Sequence, residues 1–351
     1  MKMESGQGAM GVLRRCVLCG LLPSLCWGAW ADESGSRATS KKTLPSSVWK
    51  VSSDTATVYL AGSVHLLRAQ DYPLPPVYDV AYADSDRLMF EVDLKDMNRL
   101  DVQEELIALG SLPSGETIRD HVSEETYAKL QDYFQSRGVG GPMFESMRPG
   151  MLALTISSLE YMRMGAMPFL GVDMVYFKRA QEDEKPTKGL ETVEFQMTLF
   201  DNLSPKKQEE LLVKTLEGLG EAEEMTETLI EAWRTGDAKG LGDMLREEFV
   251  GDRVVERLLL TDRNESWVPQ IEEILASDDN AMVVVGTGHL VGRKSVVQLL
   301  RKKGYEIKQM RYSPAKVRQN REEERLEGEV EEVEEVEGEA EVQSPAVAAE
   351  R

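Results

Sequence analysis

Apolar and polar positions along the chain fall into patterns that mark its elements before any composition is considered. Near the end, Met282-Val283-Val284-Val285 is an apolar run of strand length that stops abruptly in Gly286-Thr287-Gly288-His289. A helical pattern follows, with Val296, Val297, Leu299 and Leu300 apolar and Arg301, Lys302 and Lys303 at its close. Gly304 stops that helix, and residues 305–310 alternate as a strand does, so the stretch predicts a βαβ unit. Near the front, residues 47–51 and 56–60 flank the polar turn Ser52-Ser53-Asp54-Thr55, which is a hairpin pattern. Its second strand runs into Gly62-Ser63-Val64-His65. Tyr72-Pro73-Leu74-Pro75-Pro76 then leads rigidly into a helix with Val77, Val80, Ala81 and Ala83 on one face, and residues 87–93 read as a buried strand ending in acids. This is a second strand–helix–strand unit.

From Leu94 to about residue 250 the pattern is mainly helical. Helices are expected from Ser123, from Met151 to Met164, from Gly171, from Val193 and from Ser204-Pro205, with a short extended piece over 185–192. Residues 244–260 are charged and amphipathic, and Asp262-Arg263-Asn264 stands just before a helix that holds Trp267, Ile271, Ile274 and Leu275. The expected fold is α/β: a mixed central sheet built from the N- and C-terminal strand–helix–strand units, with a mainly helical middle part over about 94–275. Parallel strands in such a sheet bring His65, Glu91, Asp93 and His289 to one edge, the carboxyl edge where α/β proteins build sites.

Composition changes the picture at both ends. Arg14 and Arg15, a short apolar run over 16–27 and the small-x-small Ala29-Trp30-Ala31 make residues 1–31 read as a secretory signal, too short at about a dozen apolar residues to span a bilayer. Residues 32–45 read as a linker, 46–315 as the folded domain, and 316–351 as an acidic disordered tail. From residue 322 onward there are thirteen Glu and two Arg, about half of the net charge of −21 carried by the 351 residues. The expected location is outside the cytoplasm, periplasmic or extracellular, with no stable membrane span once the signal is removed. The folded part is acidic as well, which argues against nucleic acid as a partner. All three cysteines (Cys16, Cys19, Cys26) lie in the leader, so the exported chain has no disulfide and any metal site must use His, carboxylate and other oxygen ligands.

The chain has only three histidines, and two of them close the Gly-x-x-His segments. Each segment alone suits a simple turn after a strand; the pair in a histidine-poor chain points to a site. Two imidazoles and a carboxylate, His65, His289 and Glu91, make a common divalent-cation set for Mn²⁺, Co²⁺ or Zn²⁺. Glu91 also suits a general base with Asp93 nearby, and the sequence does not divide ligand from base. Gly62, Gly286 and Gly288 are candidates for close backbone approach to the bound group. Gly286-x-Gly288 does not make a dinucleotide fingerprint, because Val291 stands where the third glycine is required and the next strand ends in Gln309-Met310 without an acid. Arg148, Asp173, Glu191 and Arg263 each sit at or near an element start, where a cap, an ion pair or a catalytic role all fit. His121 reads as a surface histidine, and the 17 methionines as core filler.

These residues resemble the TraB/GumN family, which also contains the Tiki-type metalloproteases. The resemblance is carried by residues 57–65, Phe90-Glu91-Val92-Asp93, Arg148-Pro149, Gly171-Val172-Asp173, residues 188–196, residues 262–267 and residues 285–292, in order over about 47–312. It implies one active site formed by the paired Gly-x-x-His motifs and a carboxylate, and in the Tiki branch a divalent-metal-dependent peptidase acting on a peptide or other acyl substrate. Arg148, Glu191 and Arg263 match family positions and so join Glu91 as candidate catalytic residues. Gly150 departs from the aromatic residue that family members often carry after the Arg/Lys-Pro pair, which bears on the local pocket wall. The readings that compete with a metallohydrolase are a metal-free esterase with His65 or His289 as general base, and a non-enzymatic haem- or metal-binding or cell-envelope interaction protein.

Overall fold

The computed structural model describes residues 43–313 except 140, 142 and 143; the expected leader, nearly all of the linker and the acidic tail lie outside the described residues. Its sheet has six strands: β1 (Leu44–Ser52), β2 (Thr57–Ser63), β3 (Arg87–Val92), β4 (Thr187–Glu191), β5 (Ala281–Gly286) and β6 (Glu306–Tyr312), in the order β4-β3-β5-β2-β1-β6. β2, β5, β3 and β4 are mutually parallel, and β1 runs antiparallel to both β2 and β6. The sheet is therefore mixed, as the pattern predicts. β5, from the far end of the chain, inserts between β2 and β3, pairing Ser63 with Gly286 and Phe90 with Val284. That insertion places the two Gly-x-x-His segments side by side.

Alternation along the strands sorts side chains into two cores. Tyr59 and Ala61 of β2, Leu88, Phe90 and Val92 of β3 and Met282 and Val284 of β5 face one layer. Val58, Leu60, Met89, Val283 and Val285 face the other. By the same period of two, Glu91 stands on the face of Met89.

The helices are α1 (Val77–Ala83), α2 (Leu100–Gly110), α3 (Ile118–His121), α4 (Glu124–Arg137), α5 (Pro149–Arg163), α6 (Val172–Glu182), α7 (Val193–Asp201), α8 (Pro205–Gly218), α9 (Ala222–Arg234), α10 (Ala238–Glu248), α11 (Arg253–Glu256), α12 (Asp262–Leu275) and α13 (Val296–Lys302). Tyr78, Tyr82, Tyr176 and Phe177 of α1 and α6 fill the first core, together with Trp233 of α9. Trp267, Ile271 and Ile274 of α12 and Val296, Val297 and Leu300 of α13 fill the second. A third cluster, around Leu130, Leu152, Ile156 and Leu212, holds α4, α5 and α8 together beside the sheet.

The local details of the fold have physical causes. The extended piece expected at 185–192 forms as the edge strand β4; a Cβ at Gly189 would lie 2.4 Å from the Asp93 nitrogen, so only glycine lets β4 approach β3 there. Residues 244–260 are not one helix: α10 ends at Glu248, a turn with Gly251 at φ 81° follows, and α11 passes into a single π-helical turn (Arg257–Thr261). Asp262-Arg263-Asn264 lies inside α12 rather than before it, because that turn continues straight into the helix. β1 also starts at Leu44, two residues ahead of the expected domain boundary.

Candidate active site at the carboxyl edge of the sheet

The parallel strands end together, and their ends carry the candidate residues. Glu91 is the hub. Its Oε1 accepts from the Gly286 backbone N–H at 2.7 Å and lies 3.8 Å from both His65 Nε2 and His289 Nε2. Its Oε2 accepts from Arg263 Nη2 at 2.6 Å and from Gln196 Nε2 at 3.1 Å. A Cβ at Gly286 would sit 3.1 Å from Glu91 Oε1 and 3.3 Å from His65 Nε2, so the absence of a side chain there opens the space in which the three groups meet. Gly62 is needed lower down: a Cβ would lie 2.7 Å from Thr287 Oγ1. Its carbonyl accepts from Tyr78 Oη at 2.6 Å and Trp233 Nε1 at 2.8 Å, which pins the strand end that precedes His65. Gly288 faces Leu245 and Leu260 rather than the histidines.

Both imidazoles are held at Nδ1, and the holders fix their tautomers. Asp173 Oδ2 is 3.1 Å from His65 Nδ1 and its Oδ1 accepts from Ser63 Oγ at 2.9 Å. A carboxylate only accepts, so His65 Nδ1 carries a hydrogen. Asn264 donates its amide to the Lys294 carbonyl at 3.0 Å, which leaves Oδ1 to accept from His289 Nδ1 at 2.6 Å. His289 Nε2 accepts from Arg263 Nη1 at 3.2 Å and therefore bears a lone pair. The two rings differ in charge. Burial keeps His289 neutral, with its pKa lowered to about 3 despite the Glu91 charge and with Arg263 adding to the effect. His65 is 53% exposed; desolvation opposes its charge, but Asp173 and then Glu91 outweigh it and raise the pKa to about 9. Burial also opposes the Glu91 charge, yet the Arg263 guanidinium, the protonated His65 and the Gly286 backbone N–H hold its carboxyl well below the usual carboxylate range.

Arg263 ties this hub to the edge strand. Its Nε donates to Glu191 Oε1 at 3.1 Å and Oε2 at 3.0 Å, and Nη2 donates to Glu191 Oε2 at 2.9 Å. Nη1 also donates to the Leu259 carbonyl at 3.1 Å, a carbonyl inside the π-helical turn; such turns recur at functional sites. The guanidinium lies over the Trp267 ring, 4.9 Å from its centroid, and that ring is 4.4 Å from His289. The sequence by itself singles out neither Asn264 nor Gln196. Asp173 stood out as a charge at an element start, and Asn264 and Gln196 lay within stretches that resemble the family, but nothing local marks which of them reach the strand ends.

The TraB/PrgY/gumN family model matches residues 47–309, which covers most of the sheet and every residue of this cluster. The chain belongs to the TraB/PrgY/gumN family. Family relatives include the uncharacterized protein YbaP of Escherichia coli, 23% identical over 69% of this chain and 87% of its own length. They also include metalloprotease TIKI1 of Danio rerio, 23% identical over 79% of this chain and 65% of its own length, and metalloprotease TIKI1 of Homo sapiens, 23% identical over 75% and 62%. The chain thus spans less than two thirds of these TIKI proteins. No solved structure gives a significant match.

Arg148 is held by backbone carbonyls at the end of α2. It precedes α5, donating Nε to the Leu109 carbonyl at 3.1 Å and its backbone N–H to the Gly110 carbonyl at 2.9 Å. At Gly150, Gln208 and Phe200 close the space around the missing Cβ. His121 pairs with Glu116 in a separate loop, 2.6 Å from its Oε2. As placed, no group of three or more His, Cys, Asp or Glu among the described residues is drawn together as a metal site, because Arg263 engages the His289 lone pair and the imidazoles stand 3.8 Å off Glu91. No helix among the described residues is long and apolar enough to cross a membrane.

Proposed function

We propose that this chain is an exported, divalent-metal-dependent hydrolase that cleaves a peptide or related acyl bond. The observation that carries the reading is the convergence of His65 Nε2, His289 Nε2 and Glu91 Oε1, with both rings anchored through Nδ1 so that their Nε2 atoms face the carboxylate. The metalloprotease names of the TIKI relatives support it. The donor chemistry fits Mn²⁺, Co²⁺ or Zn²⁺: two imidazoles and one ionised carboxylate, each held by an outer partner, as metal ligands commonly are. Loading requires His65 to give up its proton and Arg263 Nη1 to release the His289 lone pair; the Glu191 carboxylate still holds the arginine when it does. A bound divalent cation supplies Lewis-acid polarisation of a carbonyl and activates water near neutral pH.

The protein's own groups have separable tasks. Arg263 and Gln196 occupy Glu91 Oε2 and so turn Oε1 toward the imidazoles. A carboxyl held that far below its usual range suits an anionic ligand better than a general base at neutral pH. Glu191 keeps the buried Arg263 charge paired, and Trp267 walls the side away from solvent. His65 is on the open side of the cluster, 53% exposed, where a substrate can reach it. The test is hydrolysis of a peptide library by chelator-stripped protein reloaded with each cation. The reading expects cleavage that returns with metal and is lost in His65→Ala and His289→Ala; cleavage that ignores the chelator and survives in either variant sinks it. A metal-free esterase is favoured by one observation, the solvent-facing His65–Asp173 pair, and it alone expects ester cleavage that is insensitive to chelator and lost in Asp173→Ala.

A further inference from the structure

A second cavity lies behind the histidine cluster. It has a volume of roughly 800 Å³ and runs between α10, the turn over 249–251, the π-helical turn and the N-terminal end of α13. Its apolar lining includes Leu245, Phe249, Val250, Leu260 and Val291, and Val250 is 70% exposed. Its charge is opposite to that of the molecule. Lys239, Arg246, Arg253, Arg293, Lys294 and Lys302 line it, against only Asp243 and Glu256, in a chain of net charge −21. Asp243 pairs with Lys239 and Arg246, but among the described residues Arg253, Arg293, Lys294 and Lys302 have no acidic partner. An apolar floor rimmed by unpaired cations fits an acidic strand interrupted by small apolar side chains.

This chain supplies a segment of that composition. Residues 322–341, outside the described residues, contain Glu329, Glu331, Glu332, Glu334, Glu335 and Glu337 with Val330, Val333 and Val336 spaced every third position among them. The route is short. β6 runs parallel to β5, since β1 is antiparallel to β2 and β6 and β2 is parallel to β5, so the chain leaves the sheet at Tyr312 on the carboxyl edge. Three strand spacings separate β6 from β5, about 14 Å, and the ten residues from Tyr312 to Glu322 reach up to about 33 Å. We propose that the cationic cavity is the docking site of the chain's own Glu/Val segment, residues 322–341. Asn264 lines the cavity on one side and holds His289 on the other, so the seated segment lies against the back wall of the candidate active site. The proposal is independent of the hydrolase reading, because it uses no metal and no reaction.

Carbodiimide cross-linking of the full chain, which joins lysine amines to adjacent carboxylates, reads the contact directly. An equal mixture of ¹⁵N-labelled and unlabelled protein separates links within a chain from links between chains. The expected result is that tail glutamates link to Lys239, Lys294 and Lys302 within one chain. Those links should fall about fivefold in Arg253→Glu/Arg293→Glu, which keeps every reactive lysine, and should fall likewise in 1 M salt. An unchanged melting temperature in the double variant confirms that the fold is intact. Tail links spread evenly over exposed lysines elsewhere, such as Lys178 and Lys206, overturn the proposal, as do links unaffected by the charge reversals. Links mainly between labelled and unlabelled chains assign the cavity to a second copy's segment and overturn docking within the chain.

Discussion

Replacing Arg263 with methionine should give a buried carboxyl a contribution to the pH dependence of stability opposite in sign to the one Glu91 makes in the intact protein. In the intact protein the guanidinium is 8% exposed and is bonded to Glu91 and Glu191, whose side chains are 13% and 5% exposed, so solvent does little to screen the three charges. Methionine keeps apolar contact with Trp267 but leaves two buried carboxylates beside each other around Gln196. Removing one partner from a buried ion pair costs about 3–5 kcal/mol, which for a domain of this size lowers the melting temperature by about 6–15 °C at neutral pH. The two carboxylates cannot both stay ionised, so one takes up a proton and its folded pKa rises above the unfolded value. In the wild type, the depressed Glu91 pKa contributes stability that is present above the unfolded value, about 4.3, and is lost as pH falls through the folded one. In the variant the raised carboxyl contributes stability that is present below about pH 4.3 and is lost, at up to about 1.4 kcal/mol per pH unit, as pH rises toward the new pKa. Urea denaturation at half-unit steps from pH 4 to 7, with chelator present so that no cation replaces the guanidinium, reads the slope. Parallel curves for wild type and variant would refute the claim that Arg263 is the counter-charge on which both carboxylates depend.

Three further outcomes follow from the same geometry. Gly286→Ala places a methyl 3.1 Å from Glu91 Oε1 and 3.3 Å from His65 Nε2, so divalent-cation affinity measured by calorimetry should collapse while the melting temperature moves little. Asn264→Ala removes the Nδ1 anchor of His289 and should weaken cation affinity about 10–100-fold, with residual binding that distinguishes it from loss of a ligand. His65, raised to about 9, is protonated at neutral pH and must release that proton to bind a cation; affinity should therefore fall as pH drops below about 9, and Asp173→Asn should shift that fall to lower pH.

The parts of the site that were legible in the sequence are those on strand ends. An apolar run that breaks into glycine announces the end of a buried strand, so His65, Glu91 and His289 could be expected on one edge once the strands were taken as parallel. The partners that give them a tautomer and a charge were not legible in the same way. Asp173 approaches from the first turn of α6 across 108 residues, and Gln196 from α7. Arg263 and Asn264 stood at an apparent helix start, whereas the π-helical turn carries the helix through them and aims the guanidinium at three strand ends. The extended piece that became β4 was legible, but not its pairing: its Gly189 exists for contact with β3 rather than for any local preference. Nothing local in the sequence announces that Arg148 reaches back to the Leu109 carbonyl of α2.

The central claim is that the two Gly-x-x-His segments and Glu91 form one divalent-cation site, and metal stoichiometry tests it most directly. Chelator-stripped protein is reloaded with Mn²⁺, Co²⁺ or Zn²⁺, dialysed and assayed for bound metal, beside His65→Ala, His289→Ala and the control His121→Ala. The account predicts one tightly held ion per chain in wild type and His121→Ala, and none at equal free metal in either of the other variants. No bound metal in the wild type, or the same metal content in all four proteins, would contradict it.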